Sequence, residues 1–187
     1  MGRCFGDGDP LYTAYHDSEW GRPIHEERAL LELLCLEGFQ AGLSWLTILR
    51  RRETLRVAFA GFEPEALAGF TGGDVDRLLA DPGVIRHRGK IEAAISNARA
   101  TLALRTAGTP LPHLVWSFQP VPRPAPQTPT EVPAQTPASA ALSLALRQKG
   151  FRFVGPTTAH ALMQAAGIVN DHLAECPTRQ VVGLGRR

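Results

Sequence analysis

The sequence is short of cysteine, of lysine and of long apolar runs, and each shortage excludes a class of protein. Three cysteines in 187 residues, with no signal-peptide pattern at the N-terminus, do not suit a disulfide framework. No stretch approaches the roughly 20 apolar residues that a membrane helix needs. We therefore expect a cytoplasmic protein with no membrane contact.

The pattern of a β-strand is also missing, because no segment alternates apolar and polar residues convincingly. Apolar residues instead recur at helical spacing, which predicts an all-α fold. Helices are predicted over residues 26–37, 43–59, 71–79, 91–104, 137–149 and 156–167, with shorter ones after residue 62, from residue 111 and up to residue 176. We expect one domain over residues 1–177, a proline-rich surface loop over 119–137 and a flexible tail over 178–187.

A net charge of only +2 permits a DNA-binding face without requiring one, so the local distribution of charge matters more than the total. Residues 50–52 are all arginine, and a solvated helix surface explains them as well as DNA contact does. Arg86, Arg88 and Lys90 form a second basic cluster, and residues 93–130 contain no acidic residue.

Two cysteines and two histidines at the ends of the chain form a candidate metal site. Cys4 and His16 lie in the first segment, and His172 and Cys176 are four residues apart in the last, which would place them on one face of a helix. A Cys2His2 set is a common structural zinc sphere. From spacing alone the signal is weak, because Cys4 could be a free thiol and His16 a solvated loop residue.

Glu37 ends an apolar helix and is followed by two closely spaced glycines and by Trp45. Burial of a carboxylate costs several kcal/mol unless a cation or a hydrogen-bond donor meets it, so this arrangement is expensive without a purpose. Exposure to solvent or an ion pair with a nearby arginine would also explain Glu37.

The chain resembles the DNA-3-methyladenine glycosylase I family, often called Tag, almost from end to end. The matching segments are Cys4 and residues 9–21, 35–45, 83–91, 150–155 and 163–172. The proline-rich loop and the tail fall outside the match. The sequence departs from the family at His160, where an aromatic residue is common, and at Phe5, where some members have tryptophan.

The resemblance implies a helix-hairpin-helix glycosylase fold and a structural zinc ion that ties the N-terminus to the C-terminus. The zinc ligands implied are Cys4, His16, His172 and Cys176. A closed set of four protein ligands leaves no open position for a substrate, so the implied role of the metal is structural.

The resemblance also assigns the contacts with the methylated base. Glu37 and Tyr15 would bind the adenine, Trp45 would stack on it, and Tyr12 and Trp20 would line the same pocket. Methylation at N3 makes adenine cationic in the nucleoside, and a carboxylate beside electron-rich rings attracts a cation. Glu37 is therefore the candidate catalytic residue.

Further residues match positions that contact DNA. Gln40 and Leu43 would enter the base stack where the nucleotide leaves it, although composition alone makes Leu43 a core leucine. Arg86, Arg88 and Lys90 would bind phosphates at the hairpin, with help from the N–H groups at the start of the next helix.

The function implied is monofunctional hydrolysis, in which the enzyme flips out 3-methyladenine and releases it from alkylated double-stranded DNA. The catalytic aspartate that many helix-hairpin-helix glycosylases place after the hairpin is missing, and no lysine suggests itself as a Schiff-base nucleophile. We expect a nucleoid-associated monomer that yields the free base. Two alternatives stay open, a non-catalytic zinc-stabilised DNA-binding protein on the same scaffold and a zinc hydrolase.

Overall fold

The computed structural model describes residues 2–6 and 8–184, which contain helices and loops but no β-strand. The predicted all-α fold is therefore confirmed. The α-helices of this part of the chain are α1 Pro10–Ser18, α2 Glu27–Gln40, α3 Trp45–Ala58, α4 Pro64–Ala68, α5 Gly72–Ala80, α6 Arg88–Thr106, α7 Leu111–Trp116, α8 Pro137–Gln148, α9 Pro156–Ala165 and α10 Pro177–Leu184. None of them is long and apolar enough to cross a membrane.

Helix α2 is the central element of the fold, because apolar residues cover nearly its whole surface. Residues 30–39 are all buried, and the helix packs against α3, α6, α7 and α9. A helix that is apolar on every side is stable only when other helices surround it. This arrangement also carries two acidic side chains, Glu32 and Glu37, into the interior.

Helix α1 is not predicted from the apolar pattern, although its start is readable in the sequence. Asp9 accepts hydrogen bonds from the backbone N–H groups of Leu11 at 3.0 Å and Tyr12 at 3.1 Å, and a proline follows directly. An aspartate before a proline is a strong signal for a helix start. The helix turns Tyr15 and His16 towards the interior.

Helices α5 and α6 are joined by residues 81–87, where the sequence predicts the DNA-binding hairpin. The loop is fixed from two sides. Asp81 accepts a hydrogen bond from the N–H of Gly83 at 2.7 Å, and the Arg51 guanidinium donates to the carbonyl oxygens of Pro82 and Gly83 at 2.9 and 3.0 Å. Arg51, one arginine of the first basic cluster, therefore stabilises this loop.

The segment that precedes α10 corrects one prediction. Residues 170–176 form no helix, so His172 and Cys176 do not share a helix face. The physical reason is Pro177, because a proline disfavours helical backbone at the residue before it and begins the next helix instead.

Part of the predicted flexible tail, residues 178–184, is helical. Helix α10, Pro177–Leu184, occupies this stretch, and its Val182 is 2% exposed. Residues 185–187 lie outside the described residues. The proline-rich segment contains no α-helix over residues 119–136, only a short 3-10 turn at Pro129–Glu131.

Candidate active site

Glu37 projects from the last turns of α2 into the interior, where it is 5% exposed. No hydrogen bond or ion pair meets its carboxylate within the described residues. Burial raises the pKa of Glu37 to about 8. A carboxylate that is buried with no partner among the described residues is typical of a group that meets a ligand.

Aromatic rings surround this carboxylate. The rings of Tyr15 and Trp45 lie with their centroids 5.5 Å apart, and Phe5 packs against Tyr12 at 4.9 Å and against Trp20 at 4.8 Å. The electron-rich faces of such rings attract cations, by about 0.5–2 kcal/mol for a well-placed ring.

Glu37 acts electrostatically on the two tyrosines beside it. Burial, and after it the charge of Glu37, raises the pKa of Tyr12 and of Tyr15, so both phenols stay neutral and can donate hydrogen bonds. The Trp45 indole N–H is also buried and has no hydrogen-bond partner in the described part of the chain. Unpartnered polar atoms are expensive in an interior, and they therefore mark places that a ligand can satisfy.

These side chains line one pocket with a volume of about 280 Å³. All five side chains predicted to contact the base border it, and so does Gln40: the set is Tyr12, Tyr15, Trp20, Glu37, Gln40 and Trp45. Helices α1, α2 and α3 carry them, apart from Trp20, which follows α1. A pocket of this size, with five aromatic rings in its wall and a carboxylate from α2, suits a flat, positively charged ring system.

The turn between α2 and α3 carries the second predicted DNA contact. Leu43 is 41% exposed, which contradicts a core position for it. The preceding Gly42 has φ of 83°, a conformation that favours glycine, and Ser44 caps α3 through the N–H of Thr47 at 3.2 Å. The turn therefore presents an apolar side chain to solvent on a well-fixed backbone, three residues after Gln40.

The second basic cluster divides into exposed and buried members. Arg86 is exposed, with no ion pair within the described residues, and Arg88 makes only exposed ion pairs with Asp76 at 2.6 Å and Glu92 at 3.9 Å. Exposed pairs of this kind contribute about 0–1 kcal/mol, so Arg88 can exchange them for a phosphate at little cost.

Lys90 corrects the prediction of a DNA contact. It is 8% exposed, and its ammonium donates hydrogen bonds to the carbonyl oxygens of Phe39 at 2.9 Å and Ala41 at 2.5 Å. These carbonyls lie at the C-terminal end of α2, where helix carbonyls have no partner in their own helix. Lys90 therefore fixes the start of the turn that carries Leu43 and is not free to bind a phosphate.

Four ligand atoms of the predicted metal site converge although they come from opposite ends of the chain. The thiols of Cys4 and Cys176 and the imidazoles of His16 and His172 place one atom each within 4.8 Å of one another. Three sulfur–nitrogen separations are 3.5 Å. A tetrahedral ion at ~2.3 Å from sulfur and ~2.0 Å from nitrogen separates these atoms by roughly 3.5 Å, so the residues fit a metal ion.

The histidines of this cluster are held in orientation from outside. His16 Nδ1 lies 2.8 Å from the carboxylate of Asp17, which also binds Arg3, and His172 Nε2 lies 3.2 Å from the carbonyl oxygen of Trp20. Such partners fix which ring nitrogen faces a metal. Burial lowers the pKa of His172 to about 4, which keeps the imidazole in the neutral form that binds metal ions.

Several residues of the pocket wall are missed by the sequence analysis as site residues. They include Phe5, Pro129, Val132, Gln164 and Asp171. Four of these five lie in α9, in the segment before α10 or in the proline-rich segment, and no local pattern connects these regions to α2. The position of Phe5 directly after Cys4 is the one signal that could have placed it near the pocket.

Comparison with known proteins agrees with this geometry. A family model for methyladenine glycosylases matches residues 5–180. The DNA-3-methyladenine glycosylase 1 of Escherichia coli (strain K12) is 51% identical over 180 residues, which cover 94% of this chain and 96% of that protein.

Solved structures match the fold as closely. A crystal structure of 3-methyladenine DNA glycosylase I has a TM-score of 0.91 at 49% identity and covers 94% of this chain and 98% of its own. A variant of 3-methyladenine DNA glycosylase I in complex with 3-methyladenine also has a TM-score of 0.91, at 38% identity, with 96% of this chain and 98% of that one covered. The chain therefore belongs to the methyladenine glycosylase family.

Proposed function

We propose that the protein is a DNA glycosylase that releases 3-methyladenine from alkylated double-stranded DNA, in the cytoplasm and as a monomer. The observation that carries the proposal is the Glu37 carboxylate, which is buried in a pocket with aromatic rings and meets no partner among the described residues. A close relative is named for this activity, and a related structure holds the methylated base.

The pocket selects its substrate by charge. N3-methyladenine is cationic in DNA, and the neutral purine leaves readily when the N-glycosidic bond breaks, so a strong general acid is not needed. The positive charge of the base lowers the pKa of the buried Glu37 carboxyl, so Glu37 ionises beside the cation and accepts a hydrogen bond from its exocyclic amine, while Tyr15 and Trp45 offer their ring faces. Unmodified adenine has no positive charge and gains less in this pocket.

The base reaches the pocket by leaving the duplex, which costs a few kcal/mol of stacking and pairing. Leu43, exposed on the turn beside the pocket, fills the gap in the base stack, and Gln40 lies at the pocket wall. Arg86 and Arg88, with the first N–H groups of α6, bind the phosphates of the flipped strand.

The reaction is hydrolysis without a lyase step, in which water attacks the sugar as the base departs. A lyase needs an amine that can form a Schiff base. Lys90 and Lys149 are the lysines of the chain. The amine of Lys90 is committed to two carbonyls, and neither lysine borders the pocket.

The metal proposed for the Cys4, His16, His172 and Cys176 cluster is zinc, because the ligand atoms lie within 4.8 Å of one another and two thiolates with two imidazoles are a usual structural zinc set. Bound zinc would join Cys4 and the His16 of α1 to the segment before α10. Four protein ligands leave no site for a substrate, which argues against a zinc hydrolase.

Release of the methylated base is the direct test. Duplex DNA treated with a methylating agent is incubated with the protein, and the liberated bases are identified by chromatography and mass spectrometry. We expect free 3-methyladenine, with abasic strands that stay intact until they are heated in alkali. DNA that is bound but loses no base would overturn the proposal in favour of a non-catalytic DNA-binding protein.

The zinc proposal is tested by its effect on folding. Cys176→Ser removes one ligand and should lower both the zinc content and the melting temperature, whereas Cys35→Ser changes a buried cysteine outside the cluster. Metal analysis by mass spectrometry and thermal unfolding measure the two quantities. Full zinc content in Cys176→Ser would contradict the ligand assignment.

A further inference from the structure

The proline-rich segment forms part of the pocket wall, although its sequence suggests only a surface loop. Pro129 and Val132 border the pocket. Two hydrogen bonds join the segment to the region after α9: the N–H of Ala174 donates to the carbonyl of Pro126 at 2.8 Å, and the side chain of Gln119 donates to the carbonyl of Ile168 at 3.3 Å. The segment is therefore docked where α9 approaches the pocket.

A buried carboxylate connects this segment to the pocket. Asp171 is 2% exposed and borders the pocket. Its Oδ1 lies 2.7 Å from the guanidinium of Arg123, which belongs to the proline-rich segment, and its Oδ2 lies 3.3 Å from His160 Nε2. Asp171 also accepts a hydrogen bond from Gln164 Nε2 at 2.9 Å.

This network decides which end of the Gln164 amide faces the pocket. A carboxylate paired with arginine has only acceptor atoms to offer, so the NH2 group of the amide must point towards Asp171. The amide oxygen is then on the opposite side, and it has no partner within the described residues. Gln164 itself borders the pocket. The network therefore supplies the pocket with a hydrogen-bond acceptor of fixed orientation.

We propose that Gln164 determines specificity for adenine over guanine by accepting a hydrogen bond from the exocyclic amine, and that Arg123 and Asp171 are positioning residues for it. The inference rests on the proposed function. The amine of adenine carries two N–H groups, so Glu37 and Gln164 can each accept one. Guanine presents a carbonyl oxygen at the same ring position, where it would face the amide oxygen of Gln164 with two acceptors opposed.

The test compares two lesions in one substrate. Gln164→Met keeps the length of the side chain and removes the acceptor, and Gln148→Met is the matched control on the exposed end of α8. Release of 3-methyladenine and of 3-methylguanine from the same methylated duplex is followed under single-turnover conditions. For Gln164→Met we expect 3-methyladenine release to fall about tenfold and 3-methylguanine release not to fall, so that the ratio of the two rates drops at least about tenfold.

The positioning role of Arg123 is tested separately. Arg123→Ala should lower the same ratio of rates by about threefold to tenfold, and Arg123→Lys, which keeps a cation near Asp171, should restore most of it. Arg147→Ala removes an exposed arginine from α8 and should leave the ratio unchanged. Melting temperatures show whether each variant is folded, and the restoration by lysine separates positioning from a general loss of structure.

The outcomes distinguish this inference from the function on which it rests. A wild-type protein that releases no methylated base would overturn both. A wild-type protein that releases 3-methyladenine, together with folded Gln164→Met that keeps the wild-type ratio of rates, would overturn only the role of Gln164. A ratio that falls in Gln164→Met but is unchanged in folded Arg123→Ala would overturn the positioning role of Arg123.

Discussion

Helix α2 buries two glutamates five residues apart, and their surroundings are opposite. Glu32 is 2% exposed and is met by arginines from α3: Arg52 and Arg56 donate hydrogen bonds to its Oε1 at 2.8 and 2.9 Å. Arg28 adds a longer ion pair at 3.6 Å. Glu37 is 5% exposed, and no cation or donor from the described chain meets it.

The two glutamates differ in whether the protein itself compensates the buried charge. A buried charge needs compensation, and at Glu32 the chain provides it, so that glutamate joins α2 to α3. At Glu37 the described residues provide none, and burial raises the pKa of this carboxyl to about 8. Five residues on a helix correspond to about 140° of rotation, which turns the two carboxylates towards different neighbours.

The largest expected effect is on catalysis. Glu37→Gln keeps the shape of the side chain and removes its charge, so the release of 3-methyladenine should fall by at least about 100-fold, or ~3 kcal/mol of transition-state stabilisation. Unfolding free energy at pH 8 should be unchanged or higher, because a buried carboxylate without a partner is removed. Single-turnover release and urea unfolding measure the two. A variant that is as active as the wild type would contradict the site.

The next effect is on stability, at the other glutamate. Glu32→Gln leaves Arg52 and Arg56 beside an uncharged amide and should lower the unfolding free energy by about 3 kcal/mol. The release rate per folded molecule should change little, because Glu32 does not border the pocket. Urea unfolding with an activity assay under native conditions measures both. An unfolding midpoint equal to that of the wild type would show that the arginines do not depend on Glu32.

The sequence predicts much of the fold because the apolar spacing that marks a helix lies within one short segment of the chain. Apolar spacing places α2, α3, α5, α6 and α9 within a few residues of their observed ends. It misses α1, whose buried residues are few and whose best signal is its cap at Asp9. It also predicts a helix over residues 170–176, where the proline that follows prevents one.

The candidate site is predictable in part. The resemblance names five residues as expected base contacts, and the structure brings those five residues to one pocket. The partner of a charged side chain is a long-range property, and local sequence does not record it. From the sequence, Lys90 is predicted to bind a phosphate. In the structure its amine donates hydrogen bonds to backbone carbonyls about 50 residues earlier in the chain. Glu32 and Glu37 stand in the same apolar helix, and only the tertiary structure distinguishes them.

The pH dependence of the unfolding free energy tests whether Glu37, unlike Glu32, is buried without a partner. Glu37 has a pKa of about 8 when folded and an ordinary value of 4.5 when unfolded, so the folded state holds its proton more tightly between these values. Raising the pH through this window therefore destabilises the wild type, by up to about 1.4 kcal/mol per pH unit from this group. Glu37→Gln should lose this contribution. Urea unfolding at pH 5, 6, 7 and 8 tests it, and parallel curves for wild type and variant would contradict the unpartnered state of Glu37.

The smallest expected effect comes from a third glutamate, which isolates burial as the variable. Glu53 pairs with Arg56, the same arginine that meets Glu32, at 2.5 Å, but its side chain is 81% exposed. Water already solvates this carboxylate, and the pair is three residues apart on one helix, so Glu53→Gln should cost at most about 0.5 kcal/mol. Urea unfolding beside Glu32→Gln measures the contrast. If the two substitutions cost the same, burial would not be what makes the Glu32 pair matter, and the argument that sets Glu37 apart would lose its basis.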